Sequence, residues 1–160
     1  MGKTLVTYFT ASTGKVTERV AKTLAEAIGA DLFEIKPVEP YTEEDLKWMN
    51  PFSRCNKEMM GKKEVPVEGK VEDMAGYDLL LIGYPIWYGG APNVVNTFVK
   101  EYDLTGKKLA LFATSGGGGI EKSAEKLKSS LSVGTEIVGA KRFSGDASAE
   151  ELKAWVTGLS

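Results

Sequence analysis

Histidine is absent from this 160-residue chain, and cysteine occurs once, at Cys55. Zinc sites of the Cys/His type, Cys-His dyads and Ser-His-Asp triads are therefore excluded. No phosphate-cradling arginine or histidine base accompanies Cys55 in a recognisable spacing, so it reads as a partly buried, inert thiol. An excess of charge of one sign is missing too. The 20 basic and 22 acidic residues leave a formal charge of -2, with neither a nucleic-acid footprint nor a strongly acidic face. No apolar run reaches membrane length, and MGKTLVTYF enters a strand-like stretch without a basic-then-apolar leader. The expectation is a cytoplasmic protein with no nucleic-acid partner and no membrane insertion.

Two phosphate-binding glycine motifs are also lacking. A Walker loop needs a glycine five residues before the Gly14-Lys15 pair and a hydroxyl after it, where this chain has Phe9 and Val16. A dinucleotide fingerprint needs three glycines after the first strand, and that turn holds Gly14 alone. The length of 160 residues fits one domain, 1–160, that buries about 70% of its unfolded surface without help from metals or disulfides.

What is present is organised around Leu79 to Pro92, LLLIGYPIWYGGAP. Leu79, Leu80, Leu81 and Ile82 do not alternate with polar residues, so both faces of this strand must be covered, as in a parallel sheet with helices on each side. Pro85 has no backbone donor and ends the pairing. Before it, Leu5, Val6, Tyr8 and Phe9 form a first strand. Val20, Ala21, Leu24, Ala25 and Ile28 repeat at helical spacing up to Gly29, and Asp31 to Ile35 is a second strand, giving a βαβ opening.

A long connection at about 37–76 follows, with Pro37, Pro40, Pro51 and Pro66 among mixed charges. Thr42 and Asp45 resemble a capping box for a short helix to Met49, and Ser53 to Met60 forms another turn or two. Tyr41, Trp48, Met49, Phe52, Met59 and Met60 are too many apolar groups for disorder, so the segment packs on the domain. Ser53, Arg54 and Glu58 with Trp48 read as a solvated helix face plus one packing aromatic, with a lid as the sharper alternative. After the central strand, Asn93 caps a helix marked by Val94, Val95, Phe98, Val99 and Tyr102, and Gly106 breaks it. Leu109 to Ala113 is a strand, and Ile120, Ala124, Leu127 and Leu131 form a helical stripe. Glu136 to Ala140 is the last strand, and Ser148 with Glu151 caps a helix carrying Leu152, Trp155 and Val156. Alternating β and α elements predict an α/β fold with one doubly wound sheet.

In such a sheet the strand-to-helix loops emerge on one side, so three of them converge. Thr10, Ser12, Thr13, Gly14, Lys15, Val16 and Thr17 place hydroxyls and backbone donors at a helix amino terminus, which suits a phosphate. Taken alone, this loop fits a plain capping role equally well. Pro85, Ile86, Trp87, Tyr88, Gly89 and Gly90 present two adjacent rings on a glycine-flanked loop, a stacking platform. Thr114, Ser115, Gly116, Gly117, Gly118 and Gly119 let backbone donors approach a flat heterocycle. Phosphate loop, aromatic platform and glycine-rich wall together describe a flavin mononucleotide (FMN) site.

On these residues the chain resembles the flavodoxin-like family, in its short form with a long connection after the second strand. The resemblance is carried by Tyr8-Phe9-Thr10-Ala11 with Thr13-Gly14, by Asp31 to Ile35 running into Pro40-Tyr41-Thr42, by Gly83 to Tyr88 with Ala91-Pro92, and by Ala113 to Gly117. It implies a flavodoxin-like five-stranded parallel sheet of order 2-1-3-4-5 in three layers. It also implies phosphate at Thr10 to Thr17 and the isoalloxazine between the Pro85 and Thr114 loops. The first loop departs from the family pattern, since Lys15-Val16 separate Gly14 from Thr17. Thr13 and Thr17 are the favoured phosphate hydroxyls, with Lys15 secondary.

Receiver domains share this strand order but need acidic groups after the first strand and an aspartate ending the third. Phe9-Thr10 and Tyr84-Pro85 stand there instead. Two functions remain. One is an NAD(P)H-dependent FMN oxidoreductase passing electrons to a quinone or similar acceptor, with NAD(P)H as co-substrate. The other is an electron carrier between protein partners. Carriers of the flavodoxin type tend to be strongly acidic around the flavin edge, and a charge of -2 leans away from that. No side chain is assigned to catalysis. The chemistry is the flavin's at N5, with the Gly89-Gly90 backbone as the candidate for turning a carbonyl toward it. The assembly expected is a monomer or a homodimer.

Overall fold

A computed structural model describes residues 3–10, 16–37, 67–69, 71, 74–84, 93–114, 120–128, 130–131, 134–143 and 147–159. Five strands form one parallel sheet: β1 (Lys3–Tyr8), β2 (Asp31–Glu34), β5 (Tyr77–Tyr84), β6 (Lys108–Ala113) and β7 (Glu136–Arg142). Their spatial order is β2-β1-β5-β6-β7, which for these five strands is 2-1-3-4-5, as expected. The two-residue strands β3 (Lys36–Pro37) and β4 (Val67–Glu68) pair with each other, antiparallel, in a separate ribbon. That ribbon ties the start of the long connection to Val67–Glu68 within its later part and was not foreseen from the sequence.

Helices α1 (Val16–Ile28) and α4 (Ala149–Thr157) cover one face, and α2 (Asn93–Lys100) and α3 (Ile120–Lys128) the other. The strands divide their side chains accordingly. Leu5, Leu80, Ile82, Leu109 and Leu111 pack with Val94, Phe98 and Ile120, while Val6, Leu81, Ala110 and Phe112 pack with Val20, Leu24 and Leu152. This double covering is why the central strand reads as a continuous apolar run. Burying one such leucine contributes about 1.5–3 kcal/mol. The edge strands β2 and β7 are only partly buried, and charged Asp31 and Lys141 stand exposed on them, which discourages further strand pairing.

Local signals hold where expected. Gly29 takes φ +67° and lets the Ala30 N–H donate back to Ala25 O at 2.9 Å, closing α1 with a left-handed cap. Ser148 Oγ accepts from the Glu151 N–H at 3.1 Å and caps α4. Some limits differ. Asn93 is the first residue of α2 rather than its cap, and β7 runs two residues beyond Ala140. Tyr102 and Leu131 lie past the ends of α2 and α3, because the chain tightens there into three-residue turns, Glu101 N–H to Phe98 O and Leu131 N–H to Lys128 O. Tyr102 still packs on Phe98, with ring centroids 5.1 Å apart. The helices expected at Thr42 to Met49 and Ser53 to Met60 lie outside the described residues, as does Cys55. Among the described residues no helix is long and apolar enough to cross a membrane.

Candidate functional site

The register sets the carboxyl ends of four strands level: Tyr8 pairs with Gly83, Gly83 with Phe112, and Phe112 with Lys141. The β1–β5 and β6–β7 pairings are each prolonged by one further backbone bond. Phe9 N–H donates to Gly83 O at 2.9 Å, and Phe143 N–H to Ala113 O at 2.7 Å. The chain therefore leaves β1, β5 and β6 along one rim, at Thr10, Tyr84 and Thr114; the rest of the loops expected to converge there lies outside the described residues.

Three threonines occupy this rim. Thr17, the second residue of α1, is 2% exposed, and Thr114, which follows β6, is 8% exposed. Their hydroxyls lie 2.8 Å apart and hydrogen-bond to each other across 97 residues of sequence. The two-residue period that puts Ala110 and Phe112 on the α1 face brings Thr114 to the same side. The third hydroxyl, Thr10 Oγ1, is buried and has no hydrogen-bond partner among the described residues. Leaving a buried hydroxyl unsatisfied costs about 1–3 kcal/mol, a cost that a bound acceptor would remove. The first amides of α1 have no partners within the helix and, with the helix dipole, favour an anion.

Tyr8, the last residue of β1, is buried, and its hydroxyl donates to Glu18 Oε1 at 3.1 Å. Burial, helped by the charges of Glu34 and Glu18, pushes the phenol well above its ordinary value of 10, so it stays neutral. The bond holds the carboxylate in the first turn of α1, where Glu18 also lies 3.9 Å from Lys22. Neither this pair nor the Thr17–Thr114 bond was anticipated. The hydroxyls at the two loops were visible in the sequence, but only the sheet order brings them into contact.

Of the residues expected to bind, Thr10, Val16, Thr17 and Thr114 are described. Val16 is half-buried and opens α1. Ser12, Thr13, Gly14, Lys15, Pro85, Ile86, Trp87, Tyr88, Gly89, Gly90, Ser115, Gly116, Gly117 and Gly118 lie outside the described residues. Among the described residues no cluster of acidic, histidine or cysteine side chains is arranged to hold a metal.

Comparison with known proteins adds to this geometry. A sequence model described as Flavodoxin matches residues 3–159. Flavodoxin 1 of Salmonella typhimurium is 28% identical over 135 residues, covering 82% of this chain and 58% of that protein. The chain thus spans less than two thirds of the length of that curated relative. A candidate flavoprotein of Bacteroides eggerthii, known from its crystal structure, is 37% identical with a TM-score of 0.89, covering 98% of this chain and 97% of its own. A Lactobacillus acidophilus flavoprotein crystallised in complex with FMN shares the fold at 23% identity and a TM-score of 0.67, covering 98% of this chain and 99% of its own.

Proposed function

Since this chain belongs to the flavodoxin family, we propose that residues 1–160 form one FMN-binding domain that acts as an NAD(P)H-dependent reductase and passes electrons to a quinone or similar acceptor. The observation that carries the cofactor assignment is the buried, unpartnered Thr10 Oγ1 after β1, on the same sheet edge as the Thr17–Thr114 hydroxyl pair. A dianionic phosphate accepts hydrogen bonds and donates none, and this corner supplies hydroxyls and helix amides. The helix terminus alone favours an anion by about 0.3–1 kcal/mol, and by up to about 2 kcal/mol when partly buried.

In this reading Thr10, Ser12, Thr13, Gly14, Lys15, Val16 and Thr17 hold the phosphate. Pro85 to Gly89 and Thr114 to Gly118 flank the ring, with Trp87 as the stacking face. Bound FMN supplies the hydride and electron transfer. The chain binds, orients and excludes water, and it has no histidine to move a proton near neutral pH.

The reductase reading is favoured over a carrier between protein partners by the charge of the rim. Exposed Lys141 and Arg142 end β7 beside the end of β6 while Glu34 ends β2 and Glu18 stands in the first turn of α1, so the described charges there are mixed, and the whole chain carries only -2. A protein-docking carrier gains encounter rate from a uniformly acidic flavin edge. Titrating apoprotein with FMN and riboflavin tests the cofactor, and equal affinities refute the phosphate assignment. Stopped-flow mixing with NADH or NADPH tests the activity: bleaching in a saturable step, reversed by quinone, is expected. Reduction no faster than that of free FMN makes the carrier reading the better one.

A further inference from the structure

We propose that Thr114 is a positioning residue for phosphate recognition: its hydroxyl donates to Thr17 Oγ1 and leaves the Thr17 proton for the phosphate. The proposal rests on the FMN reading above and deepens it, because it takes Thr114 out of the ring wall and gives it a task at the other end of the cofactor.

Two hydroxyl oxygens 2.8 Å apart must have a proton between them, since without one their lone pairs would repel. Each threonine has a single proton. A phosphate only accepts, so whichever hydroxyl faces it must have its own proton free and must accept from the other. Thr17 stands in the first turn of α1, among the amides that favour an anion, whereas Thr114 follows the end of β6. The order of donation that serves an anion at α1 is therefore Thr114 to Thr17 to phosphate. Both hydroxyls are buried, at 2% and 8% exposure, so water competes little and each bond polarises the next. The unpartnered Thr10 Oγ1 on the same rim is independent evidence that the corner is built for an acceptor.

The test compares the FMN and riboflavin affinities of four apoproteins: wild type, Thr114→Val, Thr17→Val and the double variant. Thr114→Val is isosteric and should weaken FMN binding about three- to tenfold, the effect of losing one neutral hydrogen bond, while moving riboflavin less than twofold. Thr17→Val should cost FMN at least as much. Adding Thr114→Val to Thr17→Val should leave the FMN-to-riboflavin ratio unchanged, because Thr114 acts through Thr17. Thr114→Ser should restore the wild-type ratio. If Thr114→Val does not fold, judged by far-ultraviolet circular dichroism, Thr114→Ala takes its place in the cycle. The proposal is overturned if Thr114→Val weakens both flavins equally, which is what a ring-wall contact does. It is also overturned if the FMN-specific loss persists in the Thr17→Val background, which is what a direct phosphate contact does. Equal binding of both flavins by the wild type overturns the FMN phosphate reading, and this proposal with it. Failure of the underlying reading is thus seen in the wild type, and failure of the Thr114 role only in the variants.

Discussion

Replacing Gly83 with alanine isolates one packing constraint beneath the rim. A Cβ built at Gly83 meets Phe112 Cε2 at 2.2 Å, Cζ at 2.3 Å and Cδ2 at 2.9 Å. The ring would have to retreat by roughly 1 Å to reach ordinary contact. It has little room to do so: Phe112 is fully buried and lies edge-on to Trp155, centroids 6.3 Å apart at 72°. Overpacking of this kind costs about 1–3 kcal/mol, against roughly 0.4–1 kcal/mol returned by the smaller conformational freedom of alanine in the unfolded chain. A net loss of about 1 kcal/mol lowers the melting temperature of a domain this size by roughly 2–4 °C. Gly139→Ala is the control. Its Cβ would meet Leu159 Cδ2 at 2.4 Å, but that atom ends a half-buried side chain near the carboxyl terminus and can swing aside, so the expected change is within about 0.5 kcal/mol. Urea midpoints at constant slope give both values. The clash account further requires Gly83→Ala to cost less in a Phe112→Leu background, with a coupling of about 0.5–3 kcal/mol. A wild-type midpoint for Gly83→Ala, or the same penalty once Phe112 has been shortened to leucine, would refute it.

The remaining predictions concern pH and the ring site. The folded-state pKa of Tyr8 lies above its unfolded value of about 10, so its contribution to stability is whole below that pH and drains away as pH rises through the folded value. Tyr8→Phe should lose about 0.5–1.5 kcal/mol at neutral pH with its bond to Glu18, yet decline less steeply between about pH 9 and about pH 11. Urea midpoints across that range check this, and parallel wild-type and variant curves contradict it. Trp87→Ala should weaken FMN binding by about 1 kcal/mol and restore flavin fluorescence with folding intact, whereas insensitivity at both Trp87 and Tyr88 would dispose of the stacking platform.

How much of this was legible before the structure depends on whether the cause was local. The central strand announced itself because both faces of β5 are covered, and α1 because Val20, Ala21, Leu24 and Ala25 share one buried stripe that Gly29 closes. The meeting of the loop ends followed from topology alone. The β3–β4 ribbon was invisible because two-residue strands carry no periodicity. The last turns of α2 and α3 were misplaced because Tyr102 and Leu131 continue the apolar spacing after the backbone has left the helix. The Thr17–Thr114 bond lies deeper still, since composition marks both residues as polar loop ends and only the strand order makes them neighbours.

In the proposed phosphate site, that order also explains why neutral hydroxyls would serve in place of an arginine. Burial along β5 and β6 increases toward their carboxyl ends, from exposed Asp78 and Lys108 to fully buried Tyr84 and Ala113. At β5 and β6 the carboxyl end is therefore the dry end, where a dipole exerts a stronger field than in water and an unpaired charge is most costly. Glu18 is already there, restrained by the Tyr8 hydroxyl. A guanidinium beside it would pair with the carboxylate and compete with an incoming anion. Threonine hydroxyls and helix amides carry no net charge to neutralise, so they stay available as donors when no anion is bound. On this account, placing an arginine at Thr10 should not tighten FMN binding. It should weaken it, and Glu18→Gln in the same chain should recover part of the loss by releasing the arginine from its new partner.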